Sequence, residues 1–227
     1  MAGTAYTPLR SVPAAPKQSV ISINAPSKTL KNGRVKLNYI DRLIEAIKYT
    51  ENLGLHKEEI QFTFDSQLEQ SLKQQIFQLC GDALYGYGYN KSSDLAGKCT
   101  PVHLMLKQHL KNDLGVDSLI TVGDRFWDDY IYCEVTKGSI EKELSHSDIY
   151  EPIKAHVWLT LPDGTILDCT AEAHADLLFK RGEHPAHECI MLVEPSKKED
   201  AKSGYHRPVL VGTGFLERTG MIQMRRL

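Results

Sequence analysis

Residues 155–170, AHVWLTLPDGTILDCT, predict a β-hairpin whose register can be worked out. The Pro-Asp-Gly sequence at 162–164 suits a three-residue loop, because proline favours the first turn position and glycine the left-handed one. This loop places Leu161 opposite Thr165. Alternation along the strands then separates an apolar face from a face that carries polar side chains. The first face holds Val157, Leu159, Leu161, Leu167 and Cys169, and the second holds His156, Trp158, Thr160, Ile166, Asp168 and Thr170.

His156 and Asp168 occupy diagonal positions on the second face, about 7–8 Å apart at the backbone. An imidazole and a carboxylate meet across such a gap, so we expect the two side chains to interact. A two-residue Asp-Gly loop would place them on opposite faces, but only the three-residue loop aligns the apolar faces of both strands. Taken alone, the pattern also fits a hairpin with one satisfied polar face.

Cys99 lies at the start of the clearest helix predicted in the chain. Thr100 is a good N-cap, Pro101 suits the first helical position, and Gly115 ends the pattern. A thiol at this end of a helix meets the positive pole of the helix dipole, which lowers its pKa and favours the thiolate. The plain alternative is a buried cysteine that packs as a small apolar residue. The predicted buried face of the helix consists of Val102, Met105, Leu106, His109, Leu110 and Leu114.

The order of these residues along the chain predicts a catalytic triad. Cys99 would attack as a thiolate, His156 would act as the base, and Asp168 would orient the imidazole. The backbone N–H of Cys99 is a candidate donor to an oxyanion, and Asn90 or a tyrosine in the preceding loop is a suggestion for the second donor. Trp158 shares a face with His156 and is expected to wall the substrate site.

Together these residues resemble the transglutaminase-like branch of the papain-like cysteine enzymes, over roughly residues 95–172. The resemblance implies that Cys99 is the nucleophile, His156 the base and Asp168 the acid, acting on an amide of a protein or peptide substrate. The family's D-P-T is D-C-T here, and the R-G-G-x-C sequence of the arylamine acetyltransferases is absent. The matching segments are Gly97-Lys98-Cys99, the helix closing at Gly115, the strand ending at Val122-Gly123, His156-Val157-Trp158 and Asp168-Cys169-Thr170.

The remaining pattern predicts an α+β fold in which the nucleophile helix packs on a mainly antiparallel sheet, as in a papain-like or transglutaminase-like core. Helical periodicity comes first and strand-like segments follow, which is typical of this class. Helices are predicted at 38–53 and from Asp65 to Gly81, a loop at 82–97, and strands at 118–122, 125–135, 155–161, 165–170, 189–193 and 209–215.

Length and composition favour a single catalytic domain at 35–227 after a flexible, proline-containing arm at 1–34. The chain has 227 residues, a net charge of -2 and five cysteines. A near-neutral charge argues against nucleic acid as the main partner. No apolar stretch approaches the ~18–20 residues of a membrane helix. With no secretory signal visible either, a cytoplasmic location with reduced thiols is expected, although export without a signal would leave no trace.

Several alternatives stay open. His184, His187 and Cys189, with Cys169 and His174 upstream, could hold structural zinc, although their spacing matches no strong zinc pattern. A non-catalytic binding module on the same fold is the other alternative. Otherwise no metal and no cofactor are expected, and the oligomeric state and the acyl acceptor are left undetermined. The segments expected to shape specificity are 81–98, 136–154 and 195–206. Of these, 136–154 is interpreted as a mobile lid or a surface excursion.

Overall fold

The computed structural model describes most of the chain beyond its N-terminal segment. The described residues belong to one compact unit, Lys36–Leu227. The predicted arm at 1–34 lies outside them, as does much of the predicted surface loop at 195–206. The described ranges are 38–127, 129–146, 154–195 and 204–222.

These residues form an α+β fold in which every strand pairing is antiparallel. None of the helices in the described ranges has the length and apolar character needed to cross a membrane. The helices are α1 Tyr39–Asn52, α2 Gln70–Gly86, α3 Ser92–Leu95, α4 Cys99–Leu114, α5 Lys137–Ser145, α6 Ala171–Leu178 and α7 Gly214–Arg218, with a 3-10 turn at Ala186–Cys189. The strands are β1 Leu119–Trp127, β2 Tyr130–Tyr132, β3 His156–Thr160, β4 Ile166–Asp168, β5 Met191–Val193 and β6 Tyr205–Val211.

The predicted register of the β3–β4 hairpin is confirmed. Leu159 pairs with Leu167, and Thr160 pairs with Ile166, as a three-residue loop requires. Gly164 has a φ of 87°, the left-handed conformation that the last loop position needs. Every side chain of the hairpin therefore points to the face that alternation assigns to it.

β1 organises the sheet because three strands pair with it. β6 runs along residues 121–126 on one edge of β1. On the other edge β3 and β2 follow one another: Gly123 lies opposite His156, and Arg125 lies opposite Tyr132. The start of β3 therefore meets the end of β2, which brings His156 and Tyr132 side by side.

Both faces of the sheet are buried. The predicted apolar face of the hairpin joins the larger core, together with buried residues of α2 and α4. The second face is covered by α1, where Tyr39 and Leu43 pack with Trp158 and Ile166. The polar side chains on this face are thus enclosed by protein and must be satisfied there.

Helix α2 differs from its prediction at both ends. It begins after Asp65, which lies in a turn and caps no helix. It also continues past Gly81, because Ala83 and Leu84 extend its buried face. The first part of the predicted loop at 82–97 is consequently helical, and α3 occupies part of the remainder.

The later elements differ from prediction in their bounds. The predicted strand at 125–135 is divided between the end of β1 and β2. The strand predicted at 209–215 begins earlier, at Tyr205, and gives way to α7. Helix α6 was not predicted, and α5 occupies the first part of the segment at 136–154, of which residues 147–153 lie outside the described ranges.

Candidate active site

Cys99 is the first residue of α4. Its N-cap is Lys98, so the prediction that Thr100 caps this helix is wrong; Thr100 lies inside its first turn. The backbone N–H of Cys99 therefore has no partner within the helix, and its side chain lies at the positive end of the helix dipole. The thiol is half-buried, and Sγ lies 3.9 Å from the carbonyl oxygen of Ala155. This contact places the sulfur just before the first residue of β3, next to His156.

His156 meets Asp168 across the hairpin. Nε2 of His156 donates to Oδ2 of Asp168 at 2.6 Å, and neither side chain is exposed to solvent. The expected diagonal contact is thus present. The other ring nitrogen, Nδ1, has no hydrogen-bond partner among the described residues. The imidazole is held by one nitrogen and keeps the other available for a reacting group.

The Asp168 carboxylate is held by a dense set of donors. Nε2 of His206, on β6, donates to the same Oδ2 at 2.8 Å. Oδ1 accepts from the backbone N–H groups of Thr170 at 2.9 Å and Ala171 at 3.1 Å, at the start of α6. Burial alone would raise the pKa of Asp168, but His156 and His206 hold it well below its usual range. Asp168 is therefore ionised and fixed in orientation.

Cys99 and His156 perturb each other in the direction of an ion pair. Burial alone would raise the pKa of the Cys99 thiol, but the nearby His156 imidazole, together with the N–H of Val157, lowers it. Burial alone would lower the pKa of His156, but the charge and hydrogen bond of Asp168, with a further contribution from Cys99, raise it to about 9. The two shifts act together, because a lowered pKa of Cys99 and a raised pKa of His156 both favour a thiolate that faces an imidazolium.

The other shifted cysteines move in the opposite direction. Burial, the charge of Cys99 and other neighbours raise the pKa of Cys133 to about 12. Burial and neighbouring carboxylates raise the pKa of Cys189 to about 12. A hydrogen bond from Cys169 to Cys80, together with burial, raises the pKa of Cys169 well above its usual value. Cys99 is thus distinguished by its environment, not only by its place at a helix start.

His103 connects the helix that begins at Cys99 to the end of the strand that carries Asp168. The backbone N–H of Cys169 donates to Nε2 of His103 at 3.1 Å, so Nε2 is the unprotonated nitrogen. Nδ1 then carries the proton and donates to the carbonyl oxygen of Cys99 at 2.8 Å. Burial lowers the pKa of His103 to about 4, against the opposing charge of Asp168. A neutral imidazole therefore joins the first turn of α4 to the end of β4.

Sequence reasoning missed both His103 and His206. His103 lies on the buried face of α4, one turn after Cys99, whereas the predicted face used His109, which is one-third exposed and pairs with Asp113. The signal was the helical i, i+4 spacing of Cys99 and His103. No local signal places His206, because its position depends on the pairing of β6 with β1.

Trp158 packs against the site from the protein interior. It has no exposed surface, its ring lies 5.6 Å from that of His156 and 5.0 Å from that of His206, and its Nε1 donates to the Tyr39 hydroxyl at 3.0 Å. A residue enclosed in this way supports the two imidazoles and does not face a substrate, which differs from its expected role as a wall of the substrate site.

The suggested second oxyanion donor is not found at Asn90. Its side-chain amide is exposed and donates to the carbonyl oxygen of Gly88 at 3.2 Å, within its own turn. Tyr85 and Tyr87 of the same segment are largely exposed. The backbone N–H of Cys99 is therefore the oxyanion donor that the described geometry supports.

The candidate zinc ligands are not brought together. Among the described residues, His184, His187 and Cys189 do not form a group with the ligand spacing of a metal site. His184 lies 3.6 Å from Glu188 in an ion pair instead. Of the upstream candidates, His174 packs its ring against Tyr132 at 4.5 Å.

Within the described ranges, one other group has the spacing of a metal site, His156 with Asp168 and His206, whose ligand-type atoms lie within 4.8 Å of one another. Both imidazole nitrogens lie at hydrogen-bond distance from the same carboxylate oxygen, so each carries the proton that metal ligation would remove. All three side chains are buried, which leaves no position for a water ligand of the kind a catalytic metal keeps. Hydrogen bonding accounts fully for this arrangement.

No protein-family model matches the chain, and neither a curated protein nor a solved structure matches it. What the site does must therefore be inferred from its own geometry and chemistry.

Proposed function

We propose that the chain is a cysteine-dependent acyl-transfer enzyme that acts on amide bonds of a protein or peptide, on a transglutaminase-like variant of the papain-like core. Cys99 is the nucleophile, His156 the proton carrier and Asp168 the orienting acid. The observation that carries the proposal is the orientation of the His156 ring, whose two nitrogens have different surroundings. Its Nε2 is bound to Asp168 at 2.6 Å, and its Nδ1 is free on the side where Cys99 and His156 shift each other's pKa.

The proposed chemistry follows from this orientation of the His156 ring. The Cys99 thiolate attacks the amide carbonyl carbon, and the resulting oxyanion accepts a hydrogen bond from the Cys99 N–H. His156 Nδ1 gives its proton to the leaving amine as the carbon–nitrogen bond breaks, which leaves a thioester on Cys99. An acceptor then gives a proton to His156 and displaces the thiolate. Asp168 remains ionised and holds the imidazole throughout.

Alkylation with iodoacetamide tests the proposal without a known substrate. At pH 6 a thiol with the ordinary pKa of about 8.5 is well under 1% ionised. Cys99 should therefore react much faster than the other four cysteines, which peptide mass spectrometry follows separately. Cys133 is the internal control, because it is also half-buried and lies close enough to Cys99 to feel its charge. Equal rates at Cys99 and Cys133 would exclude a thiolate nucleophile at this site.

Turnover separates an enzyme from a binding module on the same fold. Cys99→Ala should abolish turnover and leave the thermal unfolding temperature nearly unchanged, because the helix and the sheet do not depend on the sulfur. Turnover should also fall above about pH 9, where His156 loses its proton, although alkylation of the thiolate persists there. A fully active Cys99→Ala protein would exclude the proposed mechanism.

The acyl acceptor is identified from the mass of the product. Water as acceptor gives chain cleavage or deamidation of a glutamine side chain, and an amine gives a crosslink or an amine adduct. Incubation with candidate proteins, followed by mass spectrometry, distinguishes cleavage, a shift of about 1 Da and a crosslinked mass. Cys99→Ala is the matched blank for each reaction.

A further inference from the structure

Three aromatic residues form a surface cluster next to the candidate site. Trp127, Tyr130 and Phe179 lie on β1, on β2 and just beyond α6. Their ring centroids are 6.4 Å apart for Trp127 and Tyr130, 6.2 Å for Trp127 and Phe179, and 5.8 Å for Tyr130 and Phe179. Tyr130 is 40% exposed and Phe179 50%. Contiguous apolar surface of this kind on a folded protein marks a contact site.

Tyr132 links this aromatic cluster to the catalytic imidazole. Its ring lies 5.3 Å from Trp127 and 5.1 Å from His156, and only 3% of the residue is exposed. The continuity has a simple origin in the sheet, because Tyr132 and His156 follow one another along the same edge of β1. The series of ring contacts therefore begins at the catalytic histidine, passes through the buried Tyr132 ring and ends in solvent.

The side chain of Arg125 holds the Trp127 ring of the aromatic cluster in place. The guanidinium of Arg125 lies 4.7 Å from the ring centre of Trp127, and its side chain is almost wholly buried. Nη1 of Arg125 lies 2.9 Å from Oε1 of Glu172, which also pairs with Arg181 at 2.8 Å. A ring fixed in the way that Trp127 is loses little conformational freedom when it binds a partner, which is characteristic of aromatic anchors at binding surfaces.

Other exposed rings in the described ranges lie elsewhere and form no comparable group. Phe77, Tyr85 and Tyr87 are on or just beyond α2. Of their rings, Tyr87 packs edge-on against His109 at 5.9 Å. Exposure of a single aromatic residue is ordinary. The aromatic cluster is distinguished by mutual contact and by its continuity with His156.

We propose that Trp127, Tyr130 and Phe179 bind an apolar or aromatic side chain of the polypeptide substrate, on the acyl segment that stays attached to Cys99. This inference rests on the proposed function and adds a substrate class to it. An extended peptide spans about 3.3 Å per residue, so a side chain two or three residues from the scissile carbonyl reaches past Tyr132 to these rings. Continuity with the site favours the substrate over a second copy of the chain as the occupant.

Peptide chloromethyl ketones that alkylate Cys99 provide the test. Two probes are compared on the full chain, one with the tripeptide Phe-Gly-Gly and one with Ser-Gly-Gly, and the ratio of their second-order rate constants is measured. The phenylalanine probe should react about tenfold faster or more, the range that one apolar side chain contributes in a matching pocket. A ratio near one would overturn the assignment.

Two variants locate the effect. The double variant Tyr130→Ser with Phe179→Ser should bring the ratio close to one, whereas Tyr85→Ser, which removes a still more exposed ring outside the aromatic cluster, should keep the wild-type ratio. An unchanged ratio in the double variant would place the selectivity elsewhere and overturn the assignment. If the double variant is poorly folded by circular dichroism, Phe179→Leu, which keeps apolar bulk, is compared with Phe179→Ser.

Two further results distinguish failure of the proposed function from failure of the substrate assignment. If iodoacetamide does not select Cys99 over Cys133 at pH 6, the proposed function fails, whatever the probe ratio. If Cys99 is selected but the probe ratio is near one, the substrate class alone fails. Sedimentation of the wild type and the double variant tests the other occupant, because a dimer that the double variant abolishes would assign the aromatic cluster to self-association and overturn the substrate assignment.

Discussion

Two buried polar networks lie along β1 and β3, and only one of them is charged. The neutral network joins three hydroxyls and an indole. The Thr160 hydroxyl is 2.6 Å from that of Tyr39 and 2.7 Å from that of Thr121. Trp158 completes the group through its bond to Tyr39. Burial raises the pKa of Tyr39 to about 12, so its hydroxyl stays neutral.

The charged network around Asp168 is equally buried but differs in two respects. Two of its members, Asp168 and His156, are ionised near neutral pH, and Nδ1 of His156 is left without a partner among the described residues. A paired neutral network contributes rigidity but no acid or base, because none of its groups ionises near neutral pH. The difference indicates that burial alone does not define a reactive site, which also needs ionised groups and a donor that is not used within the network.

The largest expected effect comes from removing the charge of Asp168. Asp168→Asn keeps the shape of the side chain but takes away the anion that raises the pKa of His156. The pKa of Cys99 should then rise, because the lowering effect of His156 on it is larger than the opposing effect of the Asp168 charge, which is removed as well. Each unit by which this pKa rises lowers the thiolate fraction at pH 6 about tenfold. We expect iodoacetamide labelling of Cys99 at pH 6 to fall tenfold or more, and turnover by roughly 10²–10⁴.

Thr160→Val is the matched control, because it disturbs the neutral network on the same hairpin. It should leave the pH dependence of labelling as in the wild type. Unchanged labelling in Asp168→Asn, with the fold intact by circular dichroism, would mean that Asp168 does not set the charge of His156.

The next effect is a loss of stability in acid. Burial lowers the pKa of both His103 and His206 to about 4, below the ordinary 6.5 that they regain on unfolding. The unfolded chain therefore binds more protons between these values, and stability declines as pH falls from about 6.5 to about 4. The raised pKa of His156 acts in the opposite sense, with stability lost as pH rises from 6.5 through about 9.

His206→Gln removes one of the buried histidines that titrate on the acid side while keeping a donor for Asp168. Urea unfolding at pH 7, 6, 5 and 4 should show a shallower decline in unfolding free energy for the variant, by up to a few kcal/mol. His184→Gln, at a half-buried position, is the comparison protein. A decline as steep as that of the wild type would show that His206 is already protonated in the folded state.

The smallest effect is expected in the neutral network. Tyr39→Phe leaves the Trp158 indole N–H without its acceptor, which should lower the free energy of unfolding by about 1–3 kcal/mol. The pH profile of Cys99 labelling should stay the same. Tyr87→Phe, which removes a largely exposed hydroxyl, should change neither quantity. A shifted labelling profile in Tyr39→Phe would mean that the two networks are coupled through Trp158.

The parts of the site that rest on local patterns could be predicted from the sequence. The contact between His156 and Asp168 follows from strand alternation and a recognisable turn at 162–164, since both residues belong to one hairpin. The position of Cys99 follows from the helix that it begins. Each of these predictions needs only a short stretch of chain.

The parts that depend on distant pairing could not be predicted. His206 reaches Asp168 because β6 pairs with β1, and no pattern near residue 206 encodes that register. The burial of Trp158 depends in the same way on α1 covering the second face of the hairpin. Helix α6 is a different case. The alanine-rich sequence at 171–178 favours a helix, and Asp168 accepts hydrogen bonds from the N–H groups at the start of this helix. However, a helix of eight residues is too short to show a clear apolar periodicity.

The arrangement of strands around β1 also has a consequence for how the protein acquires reactivity. Cys99 and His206 are far in the sequence from the hairpin that carries His156 and Asp168, and they reach it only when distant elements of the fold have come together. Contacts of such large sequence separation form late, because the loops between them must close first. A partly synthesised or partly folded chain therefore carries Cys99 as an ordinary thiol. The nucleophilicity proposed for Cys99 is then a property of the completed fold alone.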